Sequence, residues 1–174
     1  MLPYLLTFCR LVIGLAFALS FVGKVRDASQ FTETIRKFDL LPPGWAGPAA
    51  ALFLGGEATV VALLILGGRL LPLAFALAGL LLTVFSLALL SSLWRGIETA
   101  CNCFGASQKP LTYYDVGRNA GFILLAAAGL GMAGATDTLP ALAFIEYLFI
   151  FIIAAVFLLL WTNLSEIAAL LQAT

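Results

Sequence analysis

The amino-acid sequence predicts an all-α, polytopic membrane helical bundle, with five spanning helices and one short amphipathic helix in a single integral membrane domain, residues 1–174. Three observations predict it. Of 174 residues, 63% are hydrophobic and only 10% charged. Soluble domains carry roughly 45–50% apolar and about 25% charged residues, so lipid must be the solvent for most of these side chains. Five apolar stretches reach the ~20 residues that cross a bilayer. No repeat or low-complexity linker divides the chain.

The first span runs from about residue 4 to 22, with Lys24 and Arg26 just beyond. No basic region precedes it and Arg10 interrupts it, so it reads as a retained membrane helix rather than a cleavable signal. Residues 27–39 follow. Asp27 with Gln30 suits a cap, and Phe31, Ile35 and Phe38 recur at i, i+4, i+7 while Glu33, Arg36 and Lys37 face elsewhere. That pattern predicts a short amphipathic helix in the membrane interface. Pro42-Pro43-Gly44 then breaks the chain.

The second span, about 47–66, opens at Pro48 and closes at Gly67-Gly68. The third, about 70–94, has Pro72 in its first turn, where a missing N–H costs nothing. The fourth, about 113–132, starts at Thr112, with Asp115 three positions on as a capping partner. Its Gly117 and Gly121 are four apart and offer a face for close helix approach. The fifth, about 139–161, has Asp137 or Thr138 as cap and Pro140 in its first turn. Trp45, Trp94, Tyr113, Tyr114 and Trp161 fall at helix ends, where amphipathic rings prefer to sit.

Composition excludes several functions. Formal net charge is zero, so no basic surface invites nucleic acid. There is no histidine, which removes His acid–base catalysis, haem ligation by His and most zinc or iron sites. No metal site is predicted. Three cysteines are too few for a disulfide scaffold.

Cys101 and Cys103 carry the chemistry. They are one residue apart in the most polar stretch of the chain, upstream of a helix N-terminus, with Arg95 and Lys109 nearby. Cations and a helix N-terminus favour the thiolate, which is the exchanging species. A disulfide across one residue closes a tight ring, and strained disulfides are labile and oxidising. Inert surface cysteines and a Cu(I) site are the rival readings. Cys9 lies on the opposite face, some 15 residues of helix away at about 1.5 Å each, and reads as a small buried hydrophobe. Electrons taken by the Cys pair must therefore leave to a partner protein or a quinone.

Glu57 lies near the middle of the second span. An ionisable group at that depth is a functional-site candidate, and the open readings are a structural polar clamp between helices and a proton or quinone role. Arg10 and Arg118 are its expected partners by depth, with Asn119 adding donors. Glu146 is expected to pair with Arg10 or to reach outward.

Sidedness is contested. Five spans place residues 27–39 and the Cys segment on one face, with Lys24, Arg26, Arg36, Lys37, Arg95 and Lys109. The other face has Arg69 and Arg10. Positive residues mark the cytoplasmic side, whereas disulfide chemistry belongs to an oxidising compartment.

These residues together resemble a family. Arg10 with Gly14, Phe17, Ser20, Gly23-Lys24, Phe31 and Leu41-Pro42, then Gly56-Glu57, then Cys101-Asn102-Cys103-Phe104-Gly105, then Asp115 with Arg118-Asn119, are similar to the MauE methylamine utilisation family, within the DoxX-like membrane superfamily. The resemblance covers roughly residues 5–130. It implies a four-helix DoxX-like core plus a fifth C-terminal helix in the bacterial plasma membrane. It also implies a thioredoxin-like partner and a role in maturing disulfide-containing proteins of the methylamine dehydrogenase kind. Cys101 and Cys103 would be the redox pair, facing the periplasm, with Glu57, Arg118, Asn119, Arg10 and Lys24 in support. The alternative is a non-catalytic subunit of a larger membrane electron-transfer complex. A transporter is the third reading, disfavoured by a single midspan acid and no inverted repeat.

Overall fold

A computed structural model describes residues 1–97, 112–134 and 142–163. Cys101, Cys103, Lys109, Asp137, Thr138 and Pro140 lie outside the described residues. The elements are α1 (Leu2–Arg26), α2 (Ala28–Lys37), α3 (Ala46–Leu66), α4 (Leu71–Trp94), α5 (Tyr113–Gly134) and α6 (Phe144–Thr162). No strand occurs among the described residues. Among the described residues, five helices are long and apolar enough to cross a membrane. The protein is an all-α polytopic membrane bundle.

Helices α1, α3, α4 and α5 close a ring. α1 packs on α3, α3 on α4, α4 on α5, and α5 back on α1. α6 lies against α1, where Phe8 and Phe157 meet edge to face at 5.6 Å. The interior is built from Ile13, Val60, Phe75, Ala78, Phe122 and Ala126, among others. Outward positions are equally apolar: Leu52, Ile65, Leu124 and Phe144 are all exposed. A helix that is hydrophobic all round is one solvated by lipid.

Two helix boundaries depart from the sequence reading. α1 runs on to Arg26, so Lys24 belongs to the helix rather than to a flank beyond it. α6 begins at Phe144, not at 139. Its N-cap is Ala143, whose backbone N–H donates to Glu146 Oε2 at 2.9 Å. Glu146 thus serves the start of its own helix and accepts from Tyr4 Oη at 2.7 Å, instead of pairing with Arg10.

The turns follow from local chemistry. Between α3 and α4, Gly67 and Gly68 have φ of 68° and 58°, a conformation glycine adopts without a Cβ penalty. Asp27 caps α2 by accepting from the Gln30 backbone N–H at 3.1 Å. At the start of α5, Asp115 Oδ2 accepts from both Thr112 N and Thr112 Oγ1 at 3.0 Å.

The glycines of α5 work differently from expectation. A Cβ at Gly117 would meet nothing within 4 Å. Gly121 instead admits the indole of Trp161 from α6, and Gly129 admits the ring of Phe75 from α4. Trp161 is accordingly a packing residue that donates from Nε1 to Arg118 O at 3.1 Å, not only an interfacial ring.

Candidate functional site

Ser20 and Lys24 are four apart on α1, so they share one face of it. Each Cα–Cβ bond in a helix tilts toward the N-terminus, and the α1 N-terminus lies at the far end of the bundle. Lys24 therefore leans inward along the helix rather than out to water. Its ammonium meets Glu57 Oε1 at 2.5 Å, and Ser20 Oγ donates to the same oxygen at 3.0 Å. Both charged side chains are 3% exposed.

Three rings surround the ammonium. Phe31 of α2, Phe53 of α3 and Phe85 of α4 have centroids 5.0, 4.6 and 5.2 Å from Lys24 Nζ. Within ~6 Å a cation is attracted by an aromatic face. The rings also hold each other, Phe53 lying 5.4 Å from Phe85 and 6.0 Å from Phe31. Phe38 adds an edge contact to Phe85 at 6.4 Å. The apolar stripe of α2 is thus spent on α3 and α4, and α2 covers this end of the bundle.

Beside the pair is a cavity lined by Ser20, Lys24, Glu57 and Asn119 among apolar side chains that include Phe17, Phe53, Phe85 and Phe122. Glu57 Oε2 is buried there with no hydrogen-bond partner among the described residues. Asn119 is buried at the same cavity.

The structure brings Lys24, Glu57 and Asn119 together and separates the others. Glu57 pairs with Lys24, not with Arg10 or Arg118 as depth alone suggested. Arg10 lies toward the far end, where Nε and Nη2 donate to the last carbonyls of α3, Leu64 O at 2.6 Å and Ile65 O at 2.9 Å. Those carbonyls have no intrahelical donor, so the guanidinium caps a neighbouring helix. Arg118 turns to Asp115 at 3.2 Å and to Thr162 O of α6 at 3.4 Å. Cys9 is buried in the core, as the sequence suggested. Cys101 and Cys103 fall on the connection between α4 and α5, outside the described residues.

The two ends of that connection are well fixed. At the α4 end, Arg95 Nη1 donates to Phe38 O at 2.9 Å and Nη2 meets Asp39 Oδ2 at 3.2 Å. Ile97 N donates to Ser92 O at 3.0 Å. At the α5 end stands the Thr112–Asp115 cap. Both ends lie on the face that α2 and the Lys24–Glu57 pair occupy.

Residues 2–133 match the family described as methylamine utilisation protein MauE. The chain belongs to the MauE family. A relative, the methylamine utilization protein MauE of Methylorubrum extorquens, is 34% identical over 147 residues, which span 80% of this chain and 74% of that protein. No solved structure matches. The match to MauE takes in every helix of the four-helix ring, the Lys24–Glu57 pair and the Cys101–Cys103 segment, while α6 lies beyond it.

Sequence reasoning missed the partnership of Ser20 and the three rings. A signal was present. A Ser-x-x-x-Lys spacing at the end of one span, with a lone acid in the next, leaves that acid two donors on one helix face.

Proposed function

We propose that this MauE-family protein is a membrane-embedded thiol–disulfide component of methylamine utilisation. Cys101 and Cys103 cycle between dithiol and disulfide and exchange with a thioredoxin-like protein. The exchange serves the maturation of disulfide-containing proteins. In one direction, a Cys thiolate attacks the partner's disulfide, forming a mixed disulfide and releasing a partner thiolate. The second Cys thiolate then attacks the mixed disulfide, leaving Cys101–Cys103 oxidised and the partner reduced, with two electrons transferred. Reoxidation passes those electrons to an acceptor outside the chain, a second protein or a quinone.

One observation supports this reading above the others. The segment bearing both cysteines is anchored at Arg95–Ile97 and at Thr112–Asp115, on the end of the bundle that carries the buried polar cluster. Lys24, Glu57 and Asn119 are the supporting groups of that end, whereas Arg10 and Arg118 act as helix clamps. We place the protein in the bacterial plasma membrane with this end on the oxidising side, where disulfides persist.

Thiol trapping tests it. Cys103→Ser should accumulate a mixed disulfide with a soluble partner through Cys101. A membrane-impermeant thiol reagent should label the pair in intact cells. Normal methylamine growth of a Cys101→Ala/Cys103→Ala variant would reject the redox role and favour a structural subunit.

A further inference from the structure

We propose that the cavity beside Glu57 holds water and that Glu57 is a proton-binding site, gaining and losing one proton at Oε2 through that water. Four observations carry this. Glu57 Oε1 is filled by Lys24 and Ser20, while Oε2 is buried and unfilled among the described residues. An unsatisfied carboxylate oxygen in a low-dielectric interior is costly, so a water or a proton belongs on it. The cavity offers about 30 Å³ for the centres of water-sized groups, and one water needs roughly 10–15 Å³ so measured, with two to four polar partners. Ser20, Glu57 and Asn119 supply those partners. The space suits water and is too small for a ring.

The aromatic cage is what makes proton uptake tolerable here. Removing one charge of a buried pair normally strands the other. Lys24 would not be stranded, because Phe31, Phe53 and Phe85 hold its ammonium independently of the carboxylate. The step is Glu57–COO⁻ plus H₃O⁺ giving Glu57–COOH plus H₂O; one O–H bond breaks, one forms, and no electrons move. Among the described residues, the only charged group facing Glu57 is Lys24 of α1. α4 contributes Leu81, Leu82 and Phe85, and α5 contributes Asn119 and Phe122. The Arg118–Asp115 pair lies next along α5.

Infrared titration of the purified protein in lipid tests the proton site without reference to the thiols. Lowering pH should raise a protonated-carboxyl C=O band that shifts in D₂O and is lost in Glu57→Gln. Glu57→Asp, which preserves the charge, should move that band rather than abolish it, and guards against a folding defect in the Gln variant. Asn119→Leu, which fills the cavity, should slow deuterium exchange of the band at least tenfold. Phe53→Leu, which weakens the cage, should shift the titration toward lower pH. A wild-type protein with no titrating carboxyl band, or the same band persisting in Glu57→Gln, overturns the proton site. Unchanged exchange in Asn119→Leu overturns the water path. A Cys101→Ser/Cys103→Ser variant that keeps the pH-dependent band leaves the proton site standing even where thiol exchange fails.

Discussion

Removing Lys24 should damage the fold more than neutralising Glu57, although the two form one ion pair. In Lys24→Met the thioether fills the space of the lysine stem, but the carboxylate at 3% exposure keeps, among the described residues, only the Ser20 hydroxyl as a partner. Breaking a buried pair in this way costs about 3–5 kcal/mol. In Glu57→Gln the ammonium keeps three aromatic faces at 4.6–5.2 Å, each contact contributing about 0.5–2 kcal/mol, and the amide oxygen still accepts. The loss should be nearer 1–3 kcal/mol. The double variant leaves no stranded charge and should cost at least ~2 kcal/mol less than the two single losses combined, since contacting residues couple on that scale. Equilibrium unfolding in mixed detergent micelles, followed by helical circular dichroism, measures all three. A Lys24→Met loss under about 1 kcal/mol, or strictly additive losses, would refute the account of Lys24 as the only charged partner of Glu57 among the described residues.

Other consequences are readable from the same contacts. Arg10→Ala uncovers Leu64 O and Ile65 O and should destabilise the bundle by about 1–3 kcal/mol, seen in the same unfolding assay. Gly129→Ala drives a methyl into the Phe75 ring and should cost about 1–3 kcal/mol, whereas Gly117→Ala, with open space around it, should fall within about 0.5 kcal/mol of wild type. Cys9, buried in the core, should resist thiol reagents in a Cys101→Ser/Cys103→Ser variant until the protein is unfolded; mass spectrometry of labelled protein checks this. Arg95→Gln weakens the tie to Asp39 and should lower the yield of the partner mixed disulfide several-fold while leaving labelling of Cys101 and Cys103 by small reagents unchanged.

Much of the fold is legible because hydropathy is a one-dimensional signal. A span announces itself by a run of apolar residues, and the run needs no knowledge of its neighbours. Pro72, the Gly67-Gly68 reversal and the Thr112–Asp115 cap are local in the same sense, and each appears where its chemistry requires. Lys24 was harder. A lysine just after an apolar run has the sequence appearance of an interfacial flank. Its interior role depends on α1 continuing past the run, on the tilt of its Cβ toward the bundle centre, and on α2 folding Phe31 over it. None of these is encoded within a few residues of Lys24. The partner of Glu57 was missed for a related reason. Counting residues from a helix end gives the depth of a Cα, and a lysine side chain carries its charge several ångströms away from that level. Gly121 and Gly129 were partly invisible because the spacing of small residues does not say which neighbour brings the large one.

The two ends of the bundle use a cation in opposite ways. At the far end, Arg10 spends its donors on carbonyls that α3 leaves open by geometry. That arrangement has no titrating partner. At the near end, Lys24 faces a carboxylate with one oxygen unfilled among the described residues, beside a buried amide and room for water. A bundle selected only for stability would do better with apolar residues there, because replacing a buried ion pair by well-packed hydrophobic side chains is often neutral or stabilising. Spare hydrogen-bonding capacity in the apolar interior is hard to explain by folding alone. It lies under α2, at the end where the connection carrying Cys101 and Cys103 begins and finishes.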